Sequence, residues 1–155
     1  MSAIDVDAHV HESERTFDYF DPAFEQFKPW VTVKKSDDVE FRANDGGVQK
    51  EFWVIDGALF GKEGNISAET TKESREMANI DARLAHMKEL QIDVQVLYPT
   101  VFLRPVTKNP WAEYALCKAY NRWLADIWKM APDQLKWAVM PPLLMMDKAE
   151  EEIRF

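Results

Sequence analysis

Three strand-like segments alternate with two amphipathic helical patterns, and this alternation most constrains the fold of the chain. The strand-like segments span residues 3–11, 92–98 and 135–140, and the helical patterns span residues 75–90 and 110–130. Strands that alternate with helices pair in parallel through right-handed crossovers. The sequence therefore predicts an α/β fold whose parallel sheet has the order first, second, third strand. A third helix is expected from Lys148 to Phe155, capped by Asp147.

The chain is too short for a complete barrel built from such units. It has 155 residues, whereas a closed (β/α)8 barrel takes about 250. We therefore expect residues 1–155 to form an incomplete (β/α)8 TIM barrel of about three βα units, the N-terminal part of a single domain. The interior face of such a sheet would expose apolar side chains. We expect the isolated chain to self-associate or to melt with poor cooperativity for that reason.

Residues 13–75 form a long insertion after the first strand. The segment is rich in aromatic residues, and Val39–Arg42 and Lys50–Ile55 flank Asn44-Asp45-Gly46-Gly47, a strong turn signal. We expect a β-hairpin there. An insertion of this length either contributes to function or serves as a lid that only packs on the core, and both interpretations stay open.

The charge balance and the cysteine content exclude several classes of protein. With 19 basic and 27 acidic residues the formal net charge is −8, which argues against nucleic-acid binding because phosphate contacts need clustered Lys and Arg. No apolar run approaches the roughly 20 residues that span a bilayer, so no membrane association is expected. The single cysteine, Cys117, excludes an internal disulfide and favours a cytoplasmic location.

His9-Val10-His11 is the sharpest chemical feature of the sequence. Two histidines at i and i+2 on a strand point the same way, so their imidazoles can converge on one divalent ion. From the spacing alone, it is equally possible that the two histidines are simply exposed to solvent and bind no metal ion. Asp5 and Asp7 would share that face and could accept hydrogen bonds from the imidazoles. Glu12 is either a further oxygen ligand of the metal ion or a solvated acid in a loop. On a regular strand its side chain would point to the face opposite His11, which slightly favours the solvated acid.

Five stretches of the chain resemble one enzyme family. The segment Ile4–Glu12, IDVDAHVHE, resembles the opening strand of the amidohydrolase superfamily. More narrowly, it resembles the amidohydrolase-related branch that includes aminocarboxymuconate-semialdehyde decarboxylase. The resemblance continues through the first helix and second strand, the second helix, and the two ends of the third strand: Arg83–Thr100, Tyr120–Asp126, Pro132–Leu135 and Pro141-Pro142. One departure is Gln91, where the family usually has glycine, and it puts the local turn in question.

This resemblance implies a metal-dependent barrel enzyme. His9 and His11 would bind a divalent metal ion, with Zn²⁺ as the first expectation and Glu12 as an additional candidate ligand. The family also uses two histidines and an aspartate on later strands, and these catalytic and ligand residues are expected beyond residue 155. His86 lies in the first helix and matches no ligand position. We therefore expect the chain to be inactive by itself.

The substrate side of the site is expected after the second strand. Thr100 and Arg104 follow that strand at the end where barrel active sites form. Arg104 could bind a substrate carboxylate through a bidentate pair, or it could be an ordinary surface arginine. The resulting function is a hydrolase or a nonoxidative decarboxylase acting on a small aromatic or unsaturated carboxylic acid. A non-catalytic fragment or interaction module is the alternative, and a homo-oligomer stays open.

Overall fold

Two three-stranded sheets organise the part of the chain that the structure, a computed structural model, describes: residues 3–34, 50–62 and 70–155. The strands are β1 (Ile4–His9), β2 (Trp30–Lys34), β3 (Lys50–Ile55), β4 (Ala58–Gly61), β5 (Val94–Tyr98) and β6 (Leu135–Trp137). The helices are α1 (Glu14–Phe17), α2 (Lys72–Arg75), α3 (Ile80–Glu89), α4 (Pro110–Met130) and α5 (Met146–Arg154), with 3-10 turns at Pro22–Phe27 and Val101–Leu103.

The first sheet has the predicted parallel topology. Its strand order is β1-β5-β6, and both neighbouring pairs are parallel. The helices α3 and α4 occur in the two connections between these strands, as the alternation of strands and helices indicated. Helix α4 begins where predicted, because the Asn109 side chain accepts a hydrogen bond from the N–H of Trp111 at 3.1 Å and Pro110 occupies the first turn. The prediction of a parallel α/β sheet is confirmed.

Strand β1 departs from strict alternation. Asp5 is paired with Gln95 and Ala8 with Leu97, so three steps along β1 oppose two along β5. Such a bulge reverses the parity of the residues that follow it. Gln95 and Leu97 lie on the buried face of β5, and Asp5 and Ala8 therefore share that face. His9, paired with the next residue of β5, lies on the other. The prediction that Asp5 and His9 share a face is wrong.

Two predicted helix boundaries are corrected. The helix predicted over residues 75–90 begins only at Ile80, because the chain turns near Met77, whose φ is 52°, after the short helix α2 ends at Arg75. The Asn79 side chain then caps α3 by accepting a hydrogen bond from the N–H of Ala82 at 3.2 Å. Helix α5 begins at Met146 with Met145 in the N-cap position, so Asp147 lies in the first turn and is not the cap.

Gln91 occupies the backbone conformation that the resemblance assigns to glycine. Its φ is 58°, in the left-handed region. Its N–H donates to the carbonyl of Lys88 at 3.1 Å, and that of Ile92 donates to Met87 at 2.9 Å. These two bonds form the glycine-type C-terminal motif of a helix. The turn before β5 therefore forms despite the glutamine.

The insertion contains a second, antiparallel sheet in the order β2-β3-β4. The second arm of the predicted hairpin is β3, but the first arm and the turn, residues 39–42 and 44–47, lie outside the described residues. The pairing partners described for β3 are β2 and β4, so the predicted hairpin is not confirmed. Asp56 and Gly57 join β3 to β4 with φ angles of 46° and 78°, as a tight hairpin turn requires.

The core lies between the parallel sheet and α4. The buried side chains on that helix include those of Leu116, Tyr120 and Leu124, while Leu97 and Leu135 are buried on the strands. Trp53 and Ile55 of β3 join the same cluster, so the second sheet packs onto the core. This packing brings the second sheet to the carboxyl ends of β1 and β5.

Candidate functional site

A cavity of about 270 Å³ lies at the carboxyl ends of β1 and β5, where the second sheet meets them. Its lining combines residues that follow β1, residues of β3 and β4, and residues that follow β5: His11, Glu12, Trp53, Phe60, Gly61, Lys62, Glu76, Thr100, Val101, Leu103 and Arg104. The structure thus brings together four of the five residues predicted for the site. His9, the fifth, is not part of this lining.

His9 ends β1 with its ring held by a backbone carbonyl. Its Nδ1 lies 2.9 Å from the oxygen of Pro99. A carbonyl only accepts, so Nδ1 donates the proton, and in the neutral ring Nε2 then carries the lone pair. Metal-binding histidines are commonly held in this way. Asp7 lies 3.5 Å from Nε2, and Asp5 bonds elsewhere, so the predicted carboxylate acceptor for the ring N–H is replaced by the Pro99 carbonyl.

His11 lies beyond the end of β1. Val10 extends the parallel pattern by one bond, its N–H donating to Tyr98 at 3.0 Å, and the chain then turns so that the N–H of His11 donates to Arg75 at 2.9 Å. The half-buried His11 side chain faces the cavity. Within residues 3–34, 50–62 and 70–155, no group of three or more His, Cys, Asp and Glu side chains is arranged to hold a metal ion. The metal site predicted at His9 and His11 is therefore not confirmed by the described residues and stays a prediction.

Glu12 is buried, with 3% of its surface exposed, so its interpretation as a solvated loop acid is wrong. Its carboxylate accepts hydrogen bonds from the N–H groups of Thr100, at 3.1 Å, and Val101, at 3.0 Å. Burial raises the pKa of Glu12 to about 7, although the backbone N–H donors oppose that rise. The role of Glu12 as a metal ligand stays a prediction.

Thr100 ties the same two strand ends together from the other side. Its hydroxyl donates to the carbonyl of Val10 at 2.7 Å, while its N–H donates to Glu12. The segment after β5 is therefore fixed to the segment after β1 at two points. This linkage gives the floor of the cavity a defined shape.

Two aromatic side chains from the second sheet form a wall of the cavity that sequence reasoning missed. Trp53 and Phe60 are register partners across β3 and β4. The Arg104 guanidinium lies 5.9 Å from the centre of the Phe60 ring, within the range of a cation–π contact. The signal was present in the sequence, because pairing outward from the Asp56-Gly57 turn places Trp53 opposite Phe60.

Lys62 adds a second basic group to this wall. Its ammonium lies 5.0 Å from the centre of the Trp53 ring and forms ion pairs with Glu14 at 3.0 Å and Glu51 at 3.2 Å. The Lys62 charge is therefore matched by two carboxylates. Arg104 is exposed and contacts an aromatic face, and it is better placed to meet an incoming anion.

Three residues that the sequence analysis did not assign to the site, His86, Cys117 and Asn121, do not line the cavity. His86 lies on α3, and Cys117 is buried on α4 with 5% of its surface exposed. Asn121, of the family-like second helix, bonds both the carbonyl and the N–H of Met140, at 3.0 and 2.9 Å. It therefore serves packing. Among the described helices, none is long and apolar enough to cross a membrane.

Comparison with known proteins supports the fold. No protein family model and no curated protein matches the sequence. The structure is similar to that of an amidohydrolase from Mycobacterium avium subsp. paratuberculosis K-10, with a TM-score of 0.68 and 21% sequence identity, over 99% of this chain and 45% of that chain. The chain thus spans less than half the length of that amidohydrolase. At this identity the likeness establishes the fold, and with the parallel sheet it agrees with the predicted incomplete (β/α)8 barrel.

Proposed function

We propose that this chain carries the first-strand part of a divalent metal site in an amidohydrolase-type hydrolase or carboxy-lyase. The observation that carries the proposal is the His9 ring, whose Nδ1 donates to the Pro99 carbonyl at the carboxyl end of a parallel strand. His9 and His11 would hold the ion, with Zn²⁺ as the first candidate. A metal ion bound there would polarise a substrate group or activate water.

The proposed substrate is a small carboxylic acid with a planar apolar part. The Arg104 guanidinium would bind its carboxylate, since a planar guanidinium suits bidentate pairing. Phe60 offers aromatic surface beside that charge, while its register partner Trp53 is almost completely buried. The buried Glu12 and Thr100 shape the floor between the carboxylate site and His11. The side chains of Glu12 and Trp53 are almost completely buried, so they present little surface to solvent.

Metal titration tests the metal site. We expect the chain to bind Zn²⁺ or Co²⁺ weakly and exchangeably, since tight sites use three or four protein ligands. The H9A/H11A double variant should lose at least about tenfold in affinity, because even the loss of an outer partner costs that much. His86→Ala is the matched control and should bind like the unsubstituted chain. Calorimetry with unchanged binding in the double variant would contradict the proposed site.

Binding of a carboxylate and its neutral analogue tests the substrate class. We expect benzoate to bind more tightly than benzamide, which has the same ring without the charge. The preference should fall by about threefold to tenfold in Arg104→Gln, because the charge-assisted pair is lost. Arg154→Gln removes an exposed arginine on α5 as the control. Equal affinity for the two ligands in the unsubstituted chain would refute the role of Arg104.

A further inference from the structure

The bulge in β1 decides which face of the sheet receives His9. Three steps from Asp5 to Ala8 oppose two steps from Gln95 to Leu97. In a regular strand, Asp5 and His9 are four residues apart and would share a face. Asp5 lies on the face of Gln95, which is buried. Without the bulge, His9 would therefore point towards the same buried side and away from the interior face of the barrel sheet.

A hydrogen-bond network centred on the buried side chains of Arg83 and Gln95 connects the two sides of this bulge. Arg83, on α3, is 5% exposed and donates from Nε to the side-chain oxygen of Gln95 at 2.7 Å. Gln95 in turn donates to the Asp5 carboxylate at 2.9 Å, before the bulge. The guanidinium also donates from Nη2 to the backbone carbonyl of His9 at 3.3 Å, after the bulge. The second Asp5 oxygen accepts from the N–H of Asp7 at 3.1 Å, within the bulge itself.

We infer that Arg83, Gln95 and Asp5 form a bulge clamp that orients His9 as a metal ligand. Arg83 bonds the backbone of His9, and Gln95 acts through Arg83 and Asp5, so both are positioning residues. Burying an arginine is costly, and an apolar side chain would fill the same space more cheaply. A hydrogen-bonded network of polar side chains instead specifies one arrangement of the backbone. The inference rests on the proposed role of His9 in metal binding.

Asp5 offers a matched pair of variants that cut or preserve the clamp. Asp5 is only half-buried, so Asp5→Ala removes the acceptor for Gln95 without opening a large cavity. Asp5→Asn retains an acceptor oxygen. Gln95→Met cuts the clamp at its centre with a side chain of similar length. Lys88→Met removes an exposed charge from α3 and serves as the control.

The first readout is the tautomer of His9 in metal-free protein at alkaline pH, measured by long-range ¹H–¹⁵N NMR. We expect the Nδ1–H form in the unsubstituted chain and in Lys88→Met. In Asp5→Ala and Gln95→Met we expect a mixture, because the ring no longer stays on the Pro99 carbonyl. A single Nδ1–H form in both cut variants, with the native fold retained by circular dichroism, would overturn the clamp. This readout does not depend on metal binding.

The second readout is Co²⁺ affinity from the visible absorption bands of the bound ion. We expect about a tenfold loss in Asp5→Ala and Gln95→Met, and affinity within about threefold of the unsubstituted chain in Asp5→Asn. Equal affinity in Asp5→Ala and Asp5→Asn would also count against the clamp. If His9→Ala leaves Co²⁺ binding unchanged, the proposed metal site is wrong, and the tautomer measurement alone then decides whether the clamp orients His9.

Discussion

Glu12→Ala is expected to lose about 2–4 kcal/mol of unfolding free energy relative to Glu12→Gln, because alanine leaves buried N–H donors without an acceptor. Those donors belong to Thr100 and Val101, and both bond the Glu12 carboxylate. Glutamine keeps one acceptor oxygen at nearly the same position. Urea denaturation of the metal-free variants, followed by circular dichroism, measures the difference. Equal midpoints for the two variants would show that the carboxylate does not hold the strand ends together.

The pH dependence of the same variants follows from the buried carboxyl group. The pKa of Glu12 is about 7 in the folded chain, above its ordinary value of 4.5. The folded state therefore binds the proton more tightly than the unfolded state. The free energy of unfolding of the unsubstituted chain should therefore fall as the pH rises between the ordinary pKa of 4.5 and the folded pKa of about 7. The total decrease should be about 3 kcal/mol. Glu12→Gln carries no titrating group at this position and should lack that part of the slope.

Alkylation of Cys117 by iodoacetamide is expected to be about 1,000-fold slower at pH 8 in the folded chain than in urea, because only the thiolate reacts. Burial raises the pKa of the Cys117 thiol to about 12, and the charges of Glu113 and Glu152 add to the rise. The rate should therefore increase about tenfold for each pH unit above 8.

A matched chain with an exposed thiol controls for reagent access. Lys129 is exposed on the same helix, so the C117S/K129C variant should react at nearly the same rate whether folded or unfolded. Mass spectrometry of timed samples gives both rates. If Cys117 in the folded chain reacts at a rate within tenfold of its rate in urea, the prediction is wrong. Such a rate would mean that α4 opens readily, although Cys117 is buried on it.

The parallel half of the fold could be predicted because its signals are local. Asn109-Pro110 marks the start of α4 through capping geometry that involves only its own first turn. The β-branched segment that contains β5 and the helical patterns beside it specify alternating elements, and right-handed crossovers leave few ways to connect them. The strand order β1-β5-β6 follows from that restriction.

The second sheet was missed where its signals were weak or non-local. Asp56-Gly57 is a strong hairpin signal, but the predicted hairpin turn was placed at residues 44–47, so β4 and the pairing of Trp53 with Phe60 were not predicted. Residues 35–49 connect β2 to β3 along the chain. The turn signal at residues 44–47 lies within that connection, and it suggested residues 39–42 instead of β2 as the partner of β3. The residues of a turn indicate where a hairpin can form. Which face of β3 packs against the core is decided by the burial of Trp53 and Ile55 in that core.

The sequence by itself determined the order of the βα units and the position of His9 at the end of the first strand. Only the tertiary structure decided which face of the sheet receives His9 and whether Glu12 is buried. The bulge in β1 reverses the parity on which the predicted faces depended. The burial of Glu12 depends on N–H groups 88 and 89 residues away along the chain. Periodicity reports the geometry of a regular element, whereas a bulge and a buried carboxylate are fixed by partners on other elements, which no local pattern contains.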